Sequence, residues 1–524
     1  MNQVSSLTSR AKTGWGFLIR SGSAWPVSLG RRSLLKSLGI SGHYERHIGE
    51  TTGLRSSPTN PYRTARQTKK ERARSADRSR GSALRGRHVD ERRIPGIILV
   101  FLLLTAAATY ALGEGLRRRA FLGAEVASKD SHVVVTKVVP SGSAAEADLL
   151  PGDILLRIGT TPITDPAQAI AALRAYRSGD RTVVVVERAG KQVEKTALLK
   201  PVPFETSPDF DVLYEVVVVD GAKYRAIVTK PKGAGRFPVI LLIGGLGCYS
   251  LDNLSPDHPY RHILYELTRK DFVTMRVDKS GEGDSEGPPC DSPHSDLHLA
   301  VDRSVAGLNA LKGYNFVDPN RVLIFAHSIG PIEGAFVVNR VPVRGLIAAE
   351  TIGKDWFSYD IDNVRRQLLL QGEGYEKVES DVRERERCDV RFYLQKQTPT
   401  VLGREAPQCL EGLLWGASYT YMQQIGDVNL AQEWRLVDIP VLVIYGTSDP
   451  KTSEEESLYL VNMINSFHPG RATYLRVRGM SHGFDKEPSQ RDSMLVEKGK
   501  RKPGNFDRSF LTDVQGWIDR VMRQ

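Results

Sequence analysis

Val322-Leu323-Ile324-Phe325-Ala326-His327-Ser328-Ile329-Gly330 is the stretch whose reading decides the fold. Its first five residues form an apolar run that fits a strand buried on both faces, and a helix of small residues follows. Ala326 and Gly330 flank the serine closely enough to permit a strained turn that pushes a hydroxyl out at the end of a sheet. A small-x-Ser-x-Gly pattern is weak alone, so the surroundings must give it meaning. Outward on both sides, residues 239–243, 272–277, 345–349, 441–445 and 473–477 also read as buried strands, with helical patterns between most of them. Apolar strands alternating with helices predict a parallel sheet covered on both faces. An Asp220-Gly221 turn between residues 213–219 and 224–229 predicts an opening hairpin.

Two strand ends downstream carry the other groups that a serine needs. Gly446-Thr447-Ser448-Asp449-Pro450 places a carboxylate after one strand, and Gly479-Met480-Ser481-His482-Gly483-Phe484 places an imidazole after the next. A serine hydroxyl is a poor nucleophile at neutral pH; an imidazole must take its proton, and a carboxylate must hold that imidazole's tautomer. The order Ser328, Asp449, His482 on this alternation resembles the α/β-hydrolase family over residues 210–524, with Ala326 where the commonest pattern has glycine. The resemblance implies a catalytic triad of these three residues. It also implies an oxyanion hole built from the backbone N–H groups of Leu246, in Ile243-Gly244-Gly245-Leu246-Gly247, and of Ile329. Residues 354–437 interrupt the alternation with a helical, charge-rich stretch that reads as a cap insertion over the site. Glu350 ends a strand and is the reserve acid. His327 is read as structural, because alternation points it away from Ser328. His294 and His298 are four apart but lack a third ligand, so no metal site and no cofactor are expected.

Upstream, residues 119–202 read as short strands and turns around one helix from Pro166, capped by Asp165. The loop Phe121-Leu122-Gly123-Ala124, the stretch Pro140-Ser141-Gly142-Ser143-Ala144 and Leu149-Leu150-Pro151-Gly152-Asp153-Ile154-Leu155 resemble a PDZ domain of the kind found in bacterial periplasmic proteases. The resemblance implies that Phe121, Leu122, Gly123 and Ala124 receive the carboxylate of a protein C-terminal tail while the strand edge pairs with it.

The composition confines what else the chain can be. It has 524 residues, 72 Lys+Arg against 61 Asp+Glu and a formal charge of +11. Residues 1–93 hold 20 of the basic and 6 of the acidic residues, so the excess lies in this Arg-, Ser- and Gly-rich tail, which reads as disordered. The remainder shows no basic stripe, and no nucleic-acid partner is expected. Residues 94–113, IPGIILVFLLLTAAATYALG, carry no charge and are long enough to span a bilayer; the helix is expected over 94–116. Arg92 and Arg93 before it and Arg117, Arg118 and Arg119 after it read as interfacial flanks. The heavier basic count lies on the N-terminal side, which predicts a cytoplasmic tail and extracytoplasmic, periplasmic domains. In an oxidising compartment Cys248 with Cys290 and Cys388 with Cys409 are one of three possible pairings.

The expectation is therefore α/β: a hydrolase-type parallel sheet with a helical cap, preceded by a small β-rich PDZ domain and one transmembrane helix. Its function reads as a membrane-anchored serine hydrolase acting on a small-molecule ester. A serine peptidase of the same fold and a non-catalytic anchored adaptor are the alternatives.

Overall fold

The computed structural model describes residues 115–523. The tail 1–93 and the apolar run 94–113 lie outside the described residues, and among those described no helix is long and apolar enough to cross a membrane. Two residues assigned to the end of the predicted span are described, and they correct its boundary. Gly115 and Leu116 have no regular structure; Leu116 is buried, and its carbonyl accepts from Arg225 Nη2 at 3.0 Å. The expected arginine flank is likewise taken up by the folded part. Arg117 pairs with Asp180 at 2.7 Å, while Arg118 is buried between Asp252 and Asp284.

β1 (Ala120–Phe121) leads through a glycine turn into a small sheet of β2 (Ala124–Lys129), β3 (His132–Val138), β4 (Ile154–Ile158), β5 (Thr161–Pro162), β6 (Arg181–Arg188) and β7 (Lys191–Leu198). The sheet order is β2-β3-β4-β6-β7 with β5 on β4, and β8 (Lys200–Pro201) returns to pair with β1. The helix Pro166–Arg174 starts where Asp165 Oδ1 accepts from Gln168 N at 2.9 Å, the expected cap. Val133, Val135, Leu155, Val184 and Val186 point inward from alternate strand positions and close a core of their own with Leu122 and Leu149.

The larger sheet opens with β9 (Phe210–Val219) and β10 (Ala222–Pro231), joined at Asp220 and Gly221, both in the left-handed region at φ +49° and +82°. Then come β11 (Phe237–Ile243), β12 (Val273–Val277), β13 (Val317–His327), β14 (Gly345–Ala349), β15 (Val441–Gly446) and β16 (Ala472–Val477). The order is β16-β15-β14-β13-β11-β12-β10-β9, and β11 to β16 run parallel. Alternation explains why near-continuous apolar strands suit this place. Val239, Leu241 and Ile243 enter one core while Ile240 and Leu242 enter the other, and β13 divides Val322, Ile324 and Ala326 from Leu323 and Phe325 in the same way. Between β14 and β15 the chain builds helices at Trp356–Gln371, Tyr375–Asp389, Pro399–Glu405, Tyr419–Asp427 and Leu430–Trp434. Disulfides join Cys248 to Cys290 and Cys388 to Cys409, which selects one of the three pairings.

Candidate active site

Ser328 stands one residue beyond β13, at φ +63°, a left-handed conformation that costs a non-glycine residue energy and lifts its side chain clear of the sheet. Small neighbours make the turn possible. A Cβ on Gly330 would lie 2.6 Å from the Ile243 carbonyl oxygen, and one on Gly245 would lie 3.1 Å from Ser328 Cβ. These approaches place the turn after β11 against the serine. Among the described residues neither the Leu246 nor the Ile329 amide donates to another protein group. Both amides are therefore available to a ligand oxygen.

His482 and Asp449 come to the same sheet end from the loops after β16 and β15. Ser328 Oγ and His482 Nε2 are 3.1 Å apart, and His482 Nδ1 lies 2.9 Å from Asp449 Oδ2. With the Nδ1 proton donated to the carboxylate, Nε2 is left to accept from the serine hydroxyl. Asp449 is fully buried and also accepts from the backbone N–H groups of Lys451 at 2.7 Å and Thr452 at 3.2 Å and from the Thr452 hydroxyl. Burial alone would raise its pKa; the neighbouring His482 and hydrogen bonds from His482, Glu350 and Thr452 outweigh it and hold the carboxyl far below the usual range. The structure thus brings together the three side chains expected of a triad.

Among the described residues it is Asp449, and not the reserve acid Glu350, that hydrogen-bonds the imidazole. The Glu350 backbone is left-handed at φ +51°, and one carboxyl oxygen of Glu350, one of Asp449 and one His482 nitrogen all lie within 4.8 Å of each other. Burial, reinforced by the Asp449 charge, pushes the Glu350 carboxyl well above its ordinary value. The protonated form can donate to Asp449, which makes the pair attractive instead of repulsive. His294 and His298 are both exposed, and His294 precedes the helix Leu297–Lys312, so the two share no helix face.

Sequence reasoning missed Lys279. Its ammonium donates to the carbonyls of Gly245 at 2.6 Å and Gly247 at 2.7 Å, bracing the turn that carries Leu246, and burial lowers its pKa to about 8. The signal was present in the segment Asp278-Lys279-Ser280-Gly281, where a charged residue follows a buried strand directly, but its partners are set only by folding. Beside the turn lies a cavity of about 60 Å³ lined by Leu246, Lys279, Arg303, Glu333 and Tyr421 among others. The inserted stretch therefore helps to wall this cavity, since Tyr421 belongs to an inserted helix and donates to Glu333 Oε1 at 2.6 Å.

In the smaller sheet the carbonyls of Leu122 and Gly123 turn inward, accepting from Ala144 N at 2.6 Å and Val139 N at 2.8 Å. Gly123 reaches this with φ +77°, and the Leu122 and Gly123 amides donate to no other protein group among the described residues. Among the described residues β2 is an edge strand paired only with β3, and the helix Pro166–Arg174 packs near it. Residues 120–199 match the family model described as PDZ domain. Residues 120–199 are a PDZ domain. The PDZ domain touches the larger unit where Arg174 pairs with Glu282 at 3.3 Å.

For the larger unit, the chain is 22% identical over 230 residues to Esterase EstD of Thermotoga maritima, covering 44% of this chain and 50% of the relative. The chain thus spans about half the length of that curated relative. Among solved structures, an esterase of Pyrococcus furiosus aligns at 11% identity and a TM-score of 0.40, covering 61% of this chain and 96% of its own. Est1E of Butyrivibrio proteoclasticus bound to ferulic acid aligns at 14% identity and a TM-score of 0.38, covering 59% and 98%.

Proposed function

We propose that this protein is a serine hydrolase that cleaves carboxylic esters through an acyl-enzyme on Ser328. The observation that carries the reading is the relay from the partly buried Ser328 Oγ to His482 at 3.1 Å and from His482 to the buried Asp449 at 2.9 Å, with two unengaged amides beside the serine. In this reading His482 takes the Ser328 proton as Oγ attacks the ester carbonyl, and Asp449 stabilises the resulting imidazolium. Charge developing on the carbonyl oxygen meets the N–H groups of Leu246 and Ile329. As the tetrahedral intermediate collapses, His482 returns the proton to the departing alkoxide. A water activated by the same imidazole then releases the acid and restores the serine. The EstD likeness supports esters as the substrate class.

The PDZ domain in this proposal receives a protein C-terminal carboxylate at Leu122 and Gly123, residues 94–113 anchor the chain in a membrane, and both folded parts face the periplasm. The reading is tested by comparing p-nitrophenyl acyl esters with aminoacyl-anilides on the full chain. Ester turnover lost in Ser328→Ala supports it, faster anilide turnover transfers it to a peptidase, and no turnover of either leaves an anchored adaptor. A reporter fused after Gln524 tests the topology; activity confined to the cytosol contradicts it.

A further inference from the structure

We infer that Tyr260 and His327 form a buried positioning relay that locks the glycine turn carrying Leu246 to the loop carrying His482. The inference rests on the hydrolase reading and adds two residues to it. Gly245 N donates to Tyr260 Oη at 2.9 Å, Tyr260 Oη lies 2.6 Å from His327 Nδ1, and His327 Nε2 lies 2.9 Å from the His482 carbonyl oxygen. The direction of every proton in this chain is determined. A carbonyl can only accept, so His327 carries its proton on Nε2; its Nδ1 is then an acceptor, and the Tyr260 hydroxyl must donate to it. That leaves the phenolic oxygen free to accept from Gly245. A second proton on His327 would set two donors against each other. Burial keeps the imidazole neutral, and its proximity to His482 adds to the effect.

The consequence for the chemistry follows from peptide planarity. The Gly245 carbonyl and the Leu246 N–H belong to one rigid trans unit and point in opposite directions. Tyr249 Oη at 3.0 Å and Lys279 Nζ at 2.6 Å both donate to that carbonyl, which turns the Leu246 N–H the other way. Tyr260 fixes the neighbouring peptide through its Gly245 N–H, and His327 carries the restraint across to the backbone of the proposed base. The oxyanion donor and the base are thereby placed relative to each other by side chains that touch no substrate.

Two variants test this, Tyr260→Phe, which removes one hydroxyl and keeps the ring, and His327→Ala, which cuts both ends. Steady-state kinetics on a p-nitrophenyl ester, together with inhibition by an aryl trifluoromethyl ketone, give the readouts. The relay predicts kcat lower by roughly 10- to 100-fold in both, in line with the sensitivity of catalysis to about 1 Å of misplacement. KM stays within about threefold, and affinity for the ketone falls in proportion to kcat/KM, a correlation that simple loss of stability does not produce. If Tyr260→Phe keeps kcat within twofold of wild type, or loses kcat without losing ketone affinity, the relay is wrong while the hydrolase reading stands. An inactive wild-type chain overturns both.

Discussion

Two carboxyl groups at one sheet end show how neighbours assign roles that residue type cannot. Asp449 is bonded to His482 and held ionised, whereas Glu350 does not bond the imidazole and is pushed toward its neutral form. Asp449→Asn should therefore lower kcat by about 10⁴-fold, because the imidazole loses its tautomer. Glu350→Gln, which can still donate to Asp449, should retain kcat within about threefold. The same substitution has a pH signature. Between the unfolded carboxyl range near 4.5 and its raised native value, Glu350 keeps a proton that the unfolded chain releases, so native stability declines as pH rises through that window. Melting of Glu350→Gln should consequently fall less between pH 5 and pH 8 than melting of the wild type; an equal fall would place the Glu350 pKa near its ordinary value. Ser328, Asp449 and His482 were legible because each follows a buried strand in a fixed chain order. The neutral state of Glu350 was not, since it depends on a carboxylate that only folding brings near.

At the scale of elements, strands were the most legible feature and turns the least. β11, β14, β15 and the second half of β13 announce themselves by nearly unbroken apolar runs, because both of their faces are covered, whereas β12 carries the buried Thr274 and Arg276. β16 at the edge alternates more and buries less, so its signal is weaker. The turn after β11 was recognisable by its glycines, yet the reason for its shape lies in Tyr249, Tyr260 and Lys279, which no local pattern connects. Gly330 illustrates the constraint on the serine turn: Gly330→Ala puts a methyl group against the Ile243 carbonyl and should cost about 1–3 kcal/mol, read as a lower denaturant midpoint. The disulfide Cys248–Cys290 closes 42 residues of sequence around the same turn. Replacing both cysteines with serine should lower stability by about 2–4 kcal/mol. Thermal unfolding with and without reductant checks this, and wild type that is indifferent to reductant would contradict it.

For the molecule as a whole, the reading of Arg117 to Arg119 is instructive. Arginines beside an apolar run look alike in sequence whether they meet headgroups or buried carboxylates, and the partners of Arg118, Asp252 and Asp284, lie 134 and 166 residues away. Here the cation is almost fully buried, lies against the rings of Phe204 and Tyr214, and shares Asp284 with Arg225. Removing one partner of such a group strands the others, so Arg118→Ala should cost about 3–5 kcal/mol and expose the connection between the PDZ domain and the larger unit to protease. Unchanged proteolysis would show that this cluster does not hold the two together. The PDZ domain and the alternating sheet were both visible in the sequence, whereas this cluster between them was not, because it is built from single residues dispersed over the chain. The central claim remains the nucleophile, and covalent labelling with a fluorophosphonate followed by peptide mass spectrometry tests it most directly. The adduct should map to Ser328 and vanish in Ser328→Ala and His482→Ala, whereas an unlabelled wild type, or an adduct on another residue, would contradict the account.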